Sequence, residues 1–191
     1  TSQVVGHTST IRSIALPNGK HALVLGARTH FYEGHGIRSV VHGVRTAAAT
    51  GAEIMILTNG CGGIKTSWKP GTVVLINDHI NYTGASPIEG ANFVDLTDLY
   101  SKRLREVART VDSSLDEGVY MQFRGPHYET PAEVQMAKIV GGDYATVYGT
   151  SEGFKRALQN DPFRVLGDVS LMATGGAGFA SRAPAIASTM A

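Results

Sequence analysis

The chain has 191 residues, 42% of them hydrophobic and 17% charged, with a formal net charge of +1; this fits one globular domain and excludes a disordered or fibrous chain. No basic run or stripe occurs and no apolar run is long enough to span a bilayer, which argues against nucleic-acid and membrane partners. Residues 1–3 begin no signal-peptide pattern and the lone Cys61 makes no internal disulfide, so a reducing, cytoplasmic setting is expected.

Residues 10–16 alternate imperfectly and read as a strand. Pro17-Asn18-Gly19-Lys20 follows, and Asn-Gly is a strong hairpin signal, so residues 21–25 read as the returning strand. Residues 26–36 form a polar, glycine-punctuated loop rich in ionisable side chains. From Ile37 the apolar positions Val40, Val41, Val44, Ala47 and Ala48 follow helical spacing, which predicts a helix ending at Thr50 with Gly51 as its C-terminal cap. Ile54, Met55, Ile56 and Leu57 show no polar alternation, as in a strand buried on both faces. That strand opens into Thr58-Asn59-Gly60-Cys61-Gly62-Gly63. Three glycines in four positions let the backbone take positive φ and approach a ligand closely, although a tight turn would need glycine for steric reasons alone.

Residues 64–71 are a loop holding the only tryptophan, Trp68, and residues 72–80 read as another buried strand. Residues 81–95 have loop composition. Residues 99–111 predict an amphipathic helix with Leu104, Val107 and Ala108 on one side, and residues 118–123 a strand. Thr130 and Pro131 are the N-cap and first position of a helix over residues 132–140. Farther on, residues 143–148 suit a strand, 152–158 a helix and 163–172 a strand. No internal repeat or linker interrupts the chain, which predicts one domain over residues 1–191.

Three places carry chemistry-bearing side chains. Arg28 and His30 follow a strand, and a guanidinium with a nearby imidazole suits a phosphate, although the same residues also make an ordinary solvated loop. Tyr128 can stack on a planar ligand and Glu129 can accept hydrogen bonds from ring N–H groups. Equally, a carboxylate at a helix start is favoured by the helix dipole. Cys61 raises the question of a nucleophilic thiolate, but no local cysteine–histidine signature accompanies it. The histidines lack metal-ligand spacing, and the glycine turn matches neither the dinucleotide nor the P-loop pattern, so no metal or dinucleotide site is expected.

The stretches Arg28-Thr29-His30-Phe31-Tyr32-Glu33-Gly34-His35, Leu57-Thr58-Asn59-Gly60-Cys61-Gly62-Gly63, Asp78-His79-Ile80-Asn81 and Gly125-Pro126-His127-Tyr128-Glu129-Thr130 together resemble purine nucleoside phosphorylases. The resemblance is to the trimeric, low-molecular-mass class in its bacterial branch and extends over about residues 6–142. It implies an α/β fold, a mixed β-sheet flanked by helices in a single domain, incomplete here at both ends. It also implies phosphorolysis of purine ribonucleosides or deoxyribonucleosides, preferably 6-oxopurines such as inosine and guanosine, to the free base and the sugar 1-phosphate.

By the same resemblance, Arg28, His30 and the Gly60 N–H contact phosphate, Tyr32 contacts ribose, and Cys61, Gly62, Tyr128 and Glu129 contact the base. His30 and Glu129 carry the catalytic roles. The family uses phosphate as a substrate, needs no metal or organic cofactor, and forms homotrimers in which a neighbour's aromatic residue closes each site. The chain departs from the pattern later. Val147 and Tyr148 fall on the segment that contacts ribose and phosphate, with Tyr148 at an expected serine, and Thr174 falls where an asparagine holds the purine. Methylthioadenosine phosphorylase, or a non-catalytic nucleoside-binding homologue, are the alternative readings.

Overall fold

The computed structural model describes residues 10–145, which group into two compact units, residues 10–59 and residues 60–145. The sequence-predicted helix at 152–158 and strand at 163–172 lie outside the described residues, as does the end of the strand expected at 143–148.

In the first unit, β1 (Ile11–Ala15) and β2 (His21–Leu25) pair antiparallel with Ile14 opposite Ala22. The turn between them closes through Leu16 N–H to Lys20 O at 2.8 Å and Gly19 N–H to Leu16 O at 2.9 Å. Gly19 sits at φ 79°, a left-handed conformation that glycine adopts without Cβ strain. The predicted helix from Ile37 forms as two pieces, α1 (Ile37–Val40) and α2 (His42–Ala49), separated at Val41 with φ −89° and ψ 0°. Two adjacent valines and Gly43 lower helical propensity at this point. Gly43 has a packing reason as well, because a Cβ there would lie 2.8 Å from Leu25 Cδ2. Gly51 ends α2 at φ 81°, as the sequence predicts.

Residues 54–57 correct the sequence reading. They adopt no strand and pair with none of the described strands, and Ile56 and Leu57 are 64% and 63% exposed. An apolar run states that a segment favours cover, but a strand exists only where a second backbone supplies its hydrogen bonds.

The second unit is built on a four-stranded mixed sheet in the order β3 (Gly62–Gly63), β6 (Tyr144–Ala145), β5 (Asp116–Gln122), β4 (Val74–Asn81). β3 runs antiparallel to β6, whereas β6, β5 and β4 are mutually parallel. β4 is half-buried rather than fully buried, with a bulge between Ile76 and Asp78 that inserts Asn77. The helices α3 (Lys102–Val111) and α4 (Pro131–Ile139) flank this sheet. Ser101 Oγ accepts from Leu104 N–H to cap α3. Thr130 and Glu133 form a reciprocal capping box on α4, with Glu133 Oε2 2.7 Å from the Thr130 N–H.

The core of this unit joins Ile64, Met121, Phe123, Ala137 and Ala145, so the small Ala137 lets α4 lie close on β5 and β6. Met121 is 1% exposed, and burying such a side chain contributes about 1.5–3 kcal/mol. On α3, Arg105 Nε and Arg109 Nη1 each lie 3.0 Å from Glu117 Oε1, fixing that helix against β5. No helix among the described residues is long and apolar enough to cross a membrane.

Candidate functional site

The candidate residues of the first unit lie on the loop after β2. His30 has extended backbone (φ −93°, ψ 151°) and caps a short 3-10 helix, Phe31–Glu33. Glu33 Oε1 accepts the His30 backbone N–H at 2.6 Å and lies 3.1 Å from His30 Nδ1. A carboxylate only accepts, so Nδ1 carries the hydrogen in this contact. The His30 and Tyr32 rings stack with centroids 5.0 Å apart and 16° between planes. Burial raises the Tyr32 phenol pKa, the Glu33 charge adds to the rise, and the Arg28 charge opposes it. Arg28, His30 and Tyr32 therefore form one local cluster, with Glu33 as its orienting carboxylate.

The second unit holds the glycine turn and the segment that connects β5 to α4. Gly60, Gly62 and Gly63 all have negative φ, which corrects the expectation of left-handed glycines. Gly62 and Gly63 instead form β3, where Gly62 opposes Ala145 and Gly63 opposes Tyr144. A Cβ at Gly63 would meet nothing within 4 Å among the described atoms, so the backbone there is open to an approaching ligand. Cys61 is largely covered, and burial pushes its thiol up to about 12. At neutral pH it is a thiol rather than a thiolate, which removes its nucleophilic reading and leaves its backbone as the polar feature.

Glu129 stands out in this unit. It is 7% exposed, and neither carboxylate oxygen has a hydrogen-bond partner among the described residues. Burial raises its pKa first and the Glu133 charge adds to the rise, while its own backbone and the His127 charge pull the other way. The helix-dipole reading of a solvated carboxylate does not fit. It is Glu133, one turn into α4, that caps the helix. Glu129 is instead an acceptor held without a donor. Beside it Tyr128 is 39% exposed. The peptide between Gly125 and Pro126 is cis, with Gly125 at φ 64°.

Val147, Tyr148 and Thr174 lie outside the described residues. Among the described residues no group of three His, Cys, Asp or Glu side chains is placed to hold a metal ion. Two features escaped the sequence reading. Asn77 Oδ1 is buried without a partner on the β4 bulge, where an asparagine inside an apolar run was the available signal. Asp116 gathers Lys65 and Trp68, residues far away in the sequence, and no local pattern announces that pairing.

Residues 3–148 match the family model described as the phosphorylase superfamily. The chain is 59% identical over 179 residues to a purine nucleoside phosphorylase of Cellulomonas sp, covering 92% of this chain and 62% of that protein. It is 54% identical over 139 residues to the purine nucleoside phosphorylase of Mycobacterium tuberculosis, covering 72% of this chain and 51% of the relative. The chain thus spans about half to three-fifths of the length of these curated relatives. Among solved structures, Schistosoma mansoni purine nucleoside phosphorylase in complex with inosine superposes with a TM-score of 0.75 at 26% identity. That match covers 97% of this chain and 78% of that one. A structure of Schistosoma mansoni purine nucleoside phosphorylase in a complex with BCX-34 gives a TM-score of 0.69 at 30% identity, covering 82% of this chain and 63% of that one. With its mixed sheet, flanking helices and family match over most of its length, the chain belongs to the phosphorylase superfamily.

Proposed function

We propose that this chain is part of a purine nucleoside phosphorylase that cleaves 6-oxopurine ribonucleosides and deoxyribonucleosides with phosphate. The observation that carries the reading is Glu129, a buried carboxylate whose two oxygens lack donors among the described residues. A 6-oxopurine presents an N1–H at its base edge, and an acceptor-only carboxylate is the matching group. A 6-aminopurine has an unprotonated N1, so it offers no such donor there. The curated relatives named purine nucleoside phosphorylase support the reaction class.

In this reading Arg28 and His30 engage phosphate, as does the Gly60 N–H, and Tyr32 packs against ribose. Tyr128 covers a face of the purine, the Cys61 and Gly62 backbone meets its edge, and Glu129 accepts N1–H. Phosphate attacks C1′ as the glycosidic bond breaks, giving ribose or deoxyribose 1-phosphate, and the purine leaves with the electron pair. Positive charge gathers on the sugar, where the phosphate anion offsets it. Negative charge gathers on the leaving purine, whose orientation Glu129 fixes by accepting N1–H. The protein's part is then orientation and electrostatics, with no metal or organic cofactor, in a cytoplasmic homotrimer.

The test is hypoxanthine release from inosine with and without phosphate, alongside methylthioadenosine as competitor substrate. Strict phosphate dependence and preference for inosine are expected. Phosphate-independent cleavage would make the protein a hydrolase, preference for methylthioadenosine would reverse the base assignment, and inosine binding without turnover would make it a binding protein.

A further inference from the structure

The loop that leaves the glycine turn is fastened by a side-chain clamp that none of the ligand roles above uses. Trp68 Nε1 donates to Asp116 Oδ2 at 2.7 Å, and Lys65 Nζ reaches the same oxygen at 2.9 Å. The Lys65 ammonium also lies 4.6 Å from the centre of the Trp68 ring. The ring occupies space that exists only because position 118 is glycine. A Cβ there would lie 2.6 Å from Trp68 Cη2 and 2.9 Å from Tyr144 Cε1.

From this slot the tryptophan meets Tyr144, with ring centroids 5.7 Å apart, and the Tyr144 hydroxyl donates to Gly118 O at 3.1 Å. Tyr144 is in turn the strand partner of Gly63. Ile64 and Lys65 N–H groups both donate to Asp143 O, at 2.9 and 3.0 Å. Asp143 is held on β5 by Val119 N–H to its Oδ2 at 2.9 Å and by its own N–H to Val119 O at 3.0 Å. The register of the glycine turn on β6 is thus set on one side by backbone bonds to Asp143 and on the other by the tilted Trp68 ring packed against Tyr144.

We propose that Trp68, anchored by Asp116, is a positioning residue for the purine-binding backbone of residues 61–63, acting through Tyr144. The inference rests on the purine-binding role proposed above for that turn. A side chain that only filled space would affect stability alone. One that sets the turn's position alters affinity for the base more than for phosphate, which Arg28 and His30 also engage.

The experiment compares the chain with Trp68→Phe and Trp68→Ala by steady-state kinetics and by calorimetric titration with hypoxanthine, which needs no turnover. Trp68→Phe keeps an aromatic ring, smaller than the indole, and loses the N–H to Asp116. It is expected to raise the inosine KM and the hypoxanthine Kd about threefold to tenfold, with the phosphate KM unchanged within about twofold. Trp68→Ala is expected to give a larger effect in the same direction. If the alanine variant does not fold, the phenylalanine variant alone decides.

Since Trp68 is the sole tryptophan, its emission should also shift on hypoxanthine binding to the unmodified chain. A fall in Tm with hypoxanthine Kd and inosine KM unchanged would overturn the proposal. An equal rise in inosine and phosphate KM would overturn it too. Failure of the unmodified chain both to cleave inosine and to bind hypoxanthine would instead sink the purine-binding reading, and this inference with it.

Discussion

Replacing Glu129 by glutamine should make the ligand-free protein more stable and the enzyme worse. The carboxylate is nine-tenths buried with no donor among the described residues, and its pKa is raised chiefly by burial. A carboxylic acid with a raised folded pKa favours the fold while protonated and costs stability once pH rises through that pKa. Glutamine is neutral throughout, so at pH 7 it removes the cost of an unpaired buried charge while keeping the shape. The gain should be about 1 kcal/mol, the lower end of the penalty for an unmatched buried polar group, since the amide is also unpaired. For a chain of this size that is a Tm rise of about 2–4 °C. The difference should vanish at acidic pH, where Glu129 itself is neutral.

Catalysis should move the other way. Losing a charge-assisted hydrogen bond to N1–H removes about 1.5–3 kcal/mol, or about 10- to 100-fold in kcat/KM for inosine. For the unmodified protein the same linkage makes inosine binding weaken as pH falls through the raised Glu129 pKa, because an acceptor must first lose its proton. Differential scanning calorimetry from pH 4 to 8 and inosine kinetics at each pH read both effects. A lower Tm at pH 7 in Glu129→Gln would refute the unpaired buried carboxylate. Unchanged inosine kinetics would refute its place at the base.

Cys61→Ser should retain inosine phosphorolysis within about threefold, and Cys61 should alkylate slowly with iodoacetamide at pH 7, because its thiol is held protonated by burial. Loss of turnover beyond about 100-fold would restore a covalent role. The Asp116 carboxyl is lowered to about 2 by its bonds to Lys65 and Trp68, so its stabilisation is present above the ordinary value of 3.8 and fades as pH falls towards about 2. Asp116→Asn should accordingly lower Tm at pH 7, with a deficit that narrows through that acid window; a deficit independent of pH would contradict it. Met121→Ala should cost about 2–5 kcal/mol in urea unfolding, and a change below about 1 kcal/mol would deny Met121 its place in the core.

Elements whose causes are local were legible in the sequence. Asn18-Gly19 specifies its own hairpin, because positive φ at Gly19 and two backbone bonds close it without help. Thr130, Pro131 and Glu133 specify the start of α4 within four residues. The motif around Tyr128 and Glu129 named the candidate base contacts, and the family match over residues 3–148 agrees with the resemblance those motifs carry.

Tertiary structure decided the matters in which distant residues share one environment. Residues 54–57 have the composition of a buried strand, yet pairing depends on a partner backbone that composition does not name. The glycines at 60, 62 and 63 read as a left-handed turn, but pairing with Tyr144 and Ala145 draws Gly62 and Gly63 into extended conformation. Whether Glu129 is a solvated helix-start carboxylate or an unpaired buried acceptor could not be read from its neighbours. Burial is set by every element packed around a side chain, and with it the cost of the charge. The sequence by itself therefore determined which side chains are able to donate, accept or stack, because those are local properties. Only the fold decided which of them are desolvated, oriented and left waiting for a donor.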